Sequence, residues 1–402
     1  DHLLDIALKF TDLIDKRFGP DARHGVPGHE EIELGLIRLW KMTGEERYLD
    51  LARFFVDQRG RGEDRELYGT YSQDHKPLAK QKEAAGHCVR AMYLYSAATE
   101  LAALGDTDYR KAMQRLWKDV VDRKMYVTGG VGAHGHGEGF AEPYYLPNEK
   151  AYSETCASIG MAFWNDRMFR LFGEAKFADV FERVLYNGLL AGVALDGDRF
   201  FYTNPLASKG GDRRQAWFGT ACCPTNMVRF MPRIGGYAYG VGEGGTRLTV
   251  AHYMNSSTTL RLADKKVKIT QKTNYPWKGN VKLTVSPPEP TEFTLRLRIP
   301  DWARGRLSST DLYSYVEPGA PPVVMDVDGK AHRYSDLDSG FIEGTRTWNP
   351  DDTVKLHLPM PVKRVEASPK VESNRGRVAL MRGPIVYCLE GCDNPDRLDG
   401  LA

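Results

Sequence analysis

At 402 residues the chain is longer than one hydrophobic core ordinarily serves, so at least two domains are expected. Its charges nearly cancel, at +2 overall, with neither a basic tract nor an acidic tail. That balance argues against nucleic acid and membrane surfaces as partners, and no apolar run approaches the roughly 20 residues that a membrane-spanning helix needs.

Six cysteines are too few for a disulfide scaffold at this length, and the adjacent pair Cys222-Cys223 is poorly placed to bridge to itself. Both points favour the reducing cytoplasm. The first residue is Asp and opens directly into a helical pattern, so a lost N-terminal segment, a signal peptide included, is compatible with it.

From residue 2 to about 240 the apolar residues recur at helical spacing and in pairs. Leu3, Ile6, Ala7, Phe10 and Ile14 share one face of a first helix. Ile32, Leu36, Leu39 and Trp40 make a second stripe that stops at Gly44, and Leu49, Ala52, Phe55 and Val56 resume at once, giving a short-looped hairpin. The polar segment 66–80 reads as a loop. A helix over 84–104 pairs with one over 107–123, with Asp106 or Thr107 as the cap between them. Helix 155–172 is apolar nearly all round and belongs to an inner layer, whereas its partner over 174–194 carries a narrower stripe. Alternating inner and outer helices argue for an (α/α)6-barrel-type toroid. About eight helices are legible, short of six pairs, which fits a chain beginning after its true N-terminus.

At Gly235–Gly245 the composition turns glycine-rich, and beyond it the period becomes two. Val267/Ile269, Val281/Leu283/Val285, Phe293/Leu295/Leu297/Ile299 and Val354/Leu356/Leu358 alternate with polar residues, the pattern of an antiparallel β-sandwich. The expected organisation is therefore an α+β multidomain chain. Residues 1–245 form an α/α-barrel catalytic domain, incomplete at its N-terminus, and 246–365 a β-sandwich. Residues 366–402 start a further β region, incomplete at its C-terminus.

The chemistry concentrates in a few places. Cys222 and Cys223 precede Pro224 and an apolar helical run, which puts both thiols at a helix start. The positive end of the helix dipole favours their thiolates. Glu154 and Cys156 lie just before another apolar helix, so three sulfurs and one carboxylate offer a tetrahedral Zn2+ set. On spacing alone, a structural zinc site and a catalytic one stand level. The total ligand charge would exceed that of zinc, which leaves room for one electron-rich, reactive thiolate.

Glu138 sits in the glycine-rich stretch Thr128–Phe140, ahead of Phe140, Tyr144, Tyr145 and Leu146. A carboxyl among apolar rings can act as a general acid; a solvated loop glutamate is the plainer alternative. His29 and His87 each follow a glycine near a helix start. Singly, each reads more readily as a cap or core residue. His134 and His136 offer further metal ligands or merely a flexible loop. Tyr202 can hydrogen-bond a hydroxyl-rich ligand or serve as a strand aromatic. Cys388 and Cys392 are assigned to packing.

Several segments occur in a telling order. They are His29-Glu-Glu-Ile-Glu-Leu, Gly86-His87-Cys-Val-Arg-Ala, Thr128-Gly-Gly-Val-Gly with Gly137-Glu138-Gly139-Phe140, and Leu146-Pro-Asn with Tyr152-Ser-Glu154-Thr-Cys156. Phe201-Tyr202-Thr-Asn-Pro-Leu and Trp217-Phe-Gly-Thr-Ala-Cys222-Cys223-Pro224 follow. Together they resemble glycoside hydrolase family 127, the β-L-arabinofuranosidases, and its near relative family 146. The likeness covers most of 29–240 and continues more weakly through Leu297-Arg-Ile-Pro-Asp-Trp302 and Arg382-Gly-Pro-Ile-Val-Tyr387.

The resemblance implies a retaining exo-glycosidase on an (α/α)6 barrel followed by β-sandwich domains. It implies zinc on Glu154, Cys156, Cys222 and Cys223, with Cys222 as nucleophile and Glu138 as general acid/base. His29, His87 and Tyr202 align with substrate contacts, and the partner would be an L-arabinofuranose-containing glycan, with a homodimer kept open as the assembly. The family's early helices, which supply another sugar contact, are absent from this chain. A non-catalytic, zinc-stabilised carbohydrate-binding or scaffold protein is the rival reading, beside a hydrolase of a related pentose-like sugar and an α/α-barrel sugar isomerase using histidine acid/base pairs.

Overall fold

The structure is a computed structural model that describes residues 2–308, 311–335, 337–391 and 393–394. Its helices are α1 (His2–Asp15), α2 (Ile32–Thr43), α3 (Glu46–Gln58), α4 (Cys88–Ala103), α5 (Thr107–Arg123), α6 (Thr155–Phe172), α7 (Ala175–Arg183) and α8 (Cys222–Phe230). Two compact units are discontinuous in sequence. The first comprises Asp1–Tyr126, Gly130–Phe172 and Gly192–Phe218; the second comprises Val127–Gly129, Gly173–Ala191 and Gly219–Ala402.

In the first unit, α2 ends where Gly44 turns left-handed (φ 75) and its N–H bonds the Trp40 carbonyl, so α3 can double back along α2. Asp106 caps α5, its carboxylate accepting the Asp108 and Tyr109 N–H groups, which settles the choice between Asp106 and Thr107. Helix α4 is buried along most of its length and packs on α2, α3, α5 and α6, the inner position that an all-round apolar helix requires. It approaches α6 closely at Gly160, where a Cβ would fall 2.7 Å from that of Met92. Helix α4 starts at Cys88 rather than near 84, because Gly86 is left-handed (φ 73) and His87 takes the cap.

The 66–80 segment is a loop, as its polarity implies, but a well-anchored one. Buried Asp74 accepts the Gly60 and Tyr68 N–H groups at 2.7 and 2.8 Å and pairs with Arg65. Arg59, fully buried, donates to the Ser72 and Pro27 carbonyls at 3.0 and 2.7 Å and pairs with Glu30.

The helix expected over 174–194 is shorter. After α7 the chain widens into a π-helical turn, Val184–Leu189, then a 3-10 turn, Leu190–Gly192. Asn187 lies in the π turn, donating to the Arg183 and Pro384 carbonyls and accepting the Val386 N–H. A residue drawn into such contacts opens the i→i−4 ladder.

In the second unit the strands are β1 (Tyr239–Gly242), β2 (Arg247–Val250), β3 (Ser256–Leu262), β4 (Lys265–Thr273), β5 (Asn280–Ser286), β6 (Thr291–Arg298) and β7 (Tyr313–Tyr315). They continue as β8 (Val323–Val327), β9 (Lys330–Tyr334), β10 (Phe341–Trp348), β11 (Asp352–His357), β12 (Val362–Ala367), β13 (Val378–Arg382) and β14 (Ile385–Tyr387). The sheets run β1-β2-β6-β10, β3-β4-β5-β11-β8-β9 and β14-β13-β12-β7, antiparallel except for the parallel β2–β6 pair. Period-two burial of Val267 and Ile269, of Val281, Leu283 and Val285, and of Phe293, Leu295 and Leu297 turns these side chains into one core.

Helix α7 is held in this unit by buried charge. Arg298 on β6, fully buried, reaches Asp179 at 2.6 Å and Glu182 at 2.5 Å, and Arg304 shares Asp179 at 2.7 Å. Glu182 also accepts from the Tyr275 hydroxyl and the Trp302 indole, while Arg183 meets Asp301 at 3.0 Å. Removing one member leaves its partners charged and dry. Arg298→Leu is expected to destabilise the fold by about 3–5 kcal/mol in urea unfolding, and a loss below about 1 kcal/mol would show that the two carboxylates find other partners.

Candidate active site

Glu138 is placed by backbone geometry. The loop that carries it closes on itself, His134 N–H bonding the Gly139 carbonyl at 3.2 Å and Gly139 N–H returning to His134 at 3.1 Å. Phe140 N–H then bonds the Gly86 carbonyl at 3.0 Å, which ties the loop to the start of α4. Gly137 and Glu138 are both left-handed, φ 72 and 49. Such a conformation is strained for a glutamate, and strain of this kind gathers at functional sites.

The partner this geometry gives Glu138 is His87, whose Nε2 lies 2.9 Å from Oε2. His87 caps α4, and its Nδ1 accepts the Val89 N–H at 3.2 Å. A backbone N–H only donates, so Nδ1 carries no proton and Nε2–H donates to Glu138. Burial pushes the His87 pKa down to about 4, outweighing the upward pull of the Glu138 carboxylate, while Arg90 and His29 also lower it. The ring is thus a neutral donor at neutral pH. His29 lies exposed just before α2, its ring 6.0 Å from that of His87.

Glu154 and Cys156 are buried at the start of α6. Ser153, left-handed at φ 38, bonds the Gly132 carbonyl through its N–H at 2.8 Å. Segment 201–204 lies alongside. Thr155 N–H donates to the Tyr202 carbonyl at 2.9 Å, Thr155 Oγ1 to Phe201 at 2.7 Å, and Asn204 Nδ2 to Ser153 at 2.8 Å. Tyr202 therefore supports Glu154 through its peptide, and its ring packs near Tyr152 and Phe218. His87, Glu138 and Glu154 each place a ligand-type atom within 4.8 Å of the others.

The second unit carries the adjacent thiols. Cys222 and Cys223 open α8, half-buried and fully buried, with their sulfurs 3.9 Å apart. Both lie inside the first turn rather than ahead of it, where N–H groups favour thiolate.

Other residues fall elsewhere. Among the described residues, His134 and His136 join no group able to hold a metal; His134 faces Glu142 at 3.8 Å. Cys388 is exposed rather than packed, because it follows the end of β14 on the surface. Cys392 lies outside the described residues. Sequence reading passed over Tyr71, which meets the His87 ring edge-on at 5.5 Å and carries the Arg90 guanidinium over its own face at 4.8 Å. An aromatic residue exposed in a polar loop ahead of Gly86-His87 was the available signal.

The lowered His87 pKa has a sign in stability. The unfolded chain binds this proton first, near pH 6.5, so the contribution is fully present above that pH and is lost as pH falls towards about 4. Unfolding free energies measured across that window should fall more steeply in wild type than in His87→Gln, by up to about 1.4 kcal/mol per pH unit. Parallel profiles would mean that His87 is protonated in the fold.

Comparison with known proteins follows the same lines. Residues 1–236 match the family model "Beta-L-arabinofuranosidase, GH127 catalytic domain", 247–360 the GH127 middle domain, and 362–402 the glycoside hydrolase family 127 C-terminal domain. A non-reducing end beta-L-arabinofuranosidase of Bifidobacterium longum subsp. longum is 37% identical over 99% of this chain and 63% of its own length. A solved GH127 beta-arabinofuranosidase superposes with a TM-score of 0.92 at 45% identity, covering 97% of this chain and 61% of that one. A GH127 beta-L-arabinofuranosidase from Geobacillus stearothermophilus T6 gives 0.89 at 42% identity, over 98% and 64%. The chain thus spans less than two thirds of the length of each of these relatives. With a family match running through its helical and its β-rich parts alike, the chain belongs to glycoside hydrolase family 127.

Proposed function

We propose that this chain is a retaining exo-glycosidase that removes terminal β-L-arabinofuranosyl groups from a glycan. The observation that carries this reading is the Glu138 carboxyl beside the Nε2–H of a neutral His87, with Glu154 close by. Acid/base work needs a carboxyl held in one orientation and able to exchange a proton with an oxygen. The relatives' names supply the sugar.

Zinc is proposed on Glu154, Cys156, Cys222 and Cys223, the carboxylate and three thiols that the resemblance to the family implies as its ligands. Donor chemistry favours this set over His87, Glu138 and Glu154, because thiolates select zinc where carboxylates and imidazole are less discriminating. Bound there, the ion would keep the sulfurs deprotonated. Three thiolates and a carboxylate outweigh its charge, which leaves Cys222, the less buried of the adjacent pair, nucleophilic.

Cys222 Sγ attacks the anomeric carbon as the bond to the leaving oxygen breaks, and Glu138 gives that oxygen its proton. The glycosyl group is then a thioether on Cys222. Glu138, now a carboxylate, takes a proton from water as the water oxygen displaces sulfur. Two inversions return the original configuration. His87, donating to Glu138, holds the carboxyl in place in both steps. His29 and Tyr202 are proposed sugar contacts.

The helical part is proposed to follow the (α/α)6 toroid, with domains at 1–245, 246–365 and 366–402, a division near the family-model borders. Among the described residues no helix is long and apolar enough to cross a membrane. A reducing compartment suits a mechanism that needs Cys222 unoxidised.

Hydrolysis of p-nitrophenyl β-L-arabinofuranoside by wild type, Cys222→Ser and Glu138→Gln, with zinc measured on the same samples, tests the reading. Wild type should hold about one zinc and turn over. Cys222→Ser should be inactive, and Glu138→Gln, assayed also on the methyl glycoside, should lose ~10²–10⁴-fold there and less on the p-nitrophenyl substrate, whose leaving group needs little protonation. Full activity in Cys222→Ser would remove the thiolate mechanism, and zinc without hydrolysis in wild type would favour a binding protein.

A further inference from the structure

Behind His87 lies a buried amide that the proposed chemistry does not use. Gln73 is fully buried and left-handed, φ 54. Its Nε2 faces three backbone carbonyls, those of Ala85 at 2.7 Å, His87 at 3.2 Å and Tyr71 at 3.4 Å. Two of these belong to His87 and to the residue two before it, so one side chain grips the backbone on both sides of Gly86. The His87 N–H donates in turn to the Tyr71 carbonyl at 3.1 Å, and Gln81 Nε2 holds the Gln73 carbonyl at 2.8 Å.

The space around this grip is closed. A Cβ on Gly86 would fall 2.0 Å from the Thr70 carbonyl oxygen and 2.9 Å from Gln73 Nε2. One on Gly139 would fall 2.9 Å from the Gly86 carbonyl oxygen. The Gln73 loop, the cap of α4 and the Glu138 loop are therefore stacked backbone on backbone, and Gln73 is the side chain that fixes the middle layer.

We propose that Gln73 is a positioning residue for the acid/base pair, acting through the backbone of His87; this rests on the role proposed above for Glu138. Three carbonyls converge on one NH2, a demand that neither a carboxylate nor a thioether meets. Without the grip the Ala85–His87 backbone relaxes, the imidazole turns away from the Val89 N–H, and Nε2–H no longer meets Glu138 at hydrogen-bond distance. Displacements near 1 Å at a proton-transfer group cost roughly a hundredfold in rate. The effect should fall on leaving-group protonation more than on sugar binding.

The experiment compares wild type, Gln73→Met, Gln73→Asn and a control, Asn165→Leu, which removes a buried amide inside α6. Each is assayed with p-nitrophenyl β-L-arabinofuranoside, whose leaving group needs little protonation, and with the methyl glycoside, whose leaving group needs it fully. In parallel, imidazole nitrogen-15 shifts report the His87 tautomer without reference to activity. Gln73→Met should lose at least about tenfold more kcat on the methyl than on the p-nitrophenyl substrate, with KM nearly unchanged, and its His87 shifts should become averaged. Asn165→Leu should keep the wild-type ratio and the fixed Nε2–H tautomer. Equal losses on both substrates, or an unchanged His87 signature in folded Gln73→Met, would overturn the proposal. If Gln73→Met does not fold, Gln73→Asn is read by the same two measures. Failure of both while Asn165→Leu folds also overturns it, since Gln73 would then serve the fold alone. A wild type that cleaves neither glycoside would end the hydrolase reading instead, and the nitrogen spectra would still decide the role of Gln73.

Discussion

The imidazole of His87 is held at both nitrogens, and the candidate site takes its shape from that. Helix α4 begins with N–H groups that need an acceptor, and Nδ1 meets that need at Val89. The same bond forces the other ring proton onto Nε2, facing Glu138. A capping requirement of an inner helix thereby becomes the orientation of a carboxyl in a glycine-rich loop. Both Glu138 and Ser153 hold left-handed backbones, each a strain of about 1–3 kcal/mol, and such positions persist only where their surroundings over-determine them. Here the surroundings are the paired carbonyl and N–H groups of Gly86, Gly132, His134 and Phe140.

Buried charge has a different task in the second unit. Arg298, Asp179, Glu182 and Arg304 lie out of water together, with Tyr275 and Trp302 filling the remaining sites on Glu182. A network of this kind gains little over a well-packed apolar replacement of the whole, yet losing one member is severe. Its satisfied geometry gives α7 a single seat against β6, whereas an apolar contact alone would tolerate sliding. The π-helical turn that follows carries the same logic onward, Asn187 pinning the start of β14.

Much of this was legible along the chain because the physics involved is local. The period of 3.6 marked α2, α3, α5 and α6, and α6 was found at its observed bounds. The period of two marked β4, β5, β6 and β11. Asp106 and Gly44 stood where caps belong. The Cys-Cys-Pro sequence announced two thiols at a helix start, and the ordered motifs announced the family. His87, read as a cap or core residue, does cap α4, although the helix starts later than its pattern implied. Less local features were missed: the π turn after α7, the anchoring of 66–80 by Asp74 and Arg59, and the exposure of Cys388.

What the sequence determined by itself is which residues can lie on one face, where elements begin and end to within a turn, and which side chains carry reactive groups. Hydrophobic spacing and capping preferences contain that information within a window of about ten residues. The tertiary structure decided which groups meet. It set Glu138 against a neutral imidazole, grouped α7 with the strands, and turned Gln73 from a loop polar residue into a buried brace. Burial pattern states that a face is covered and not by what, and a hydrogen bond between residues dozens of positions apart leaves no periodic trace in either segment.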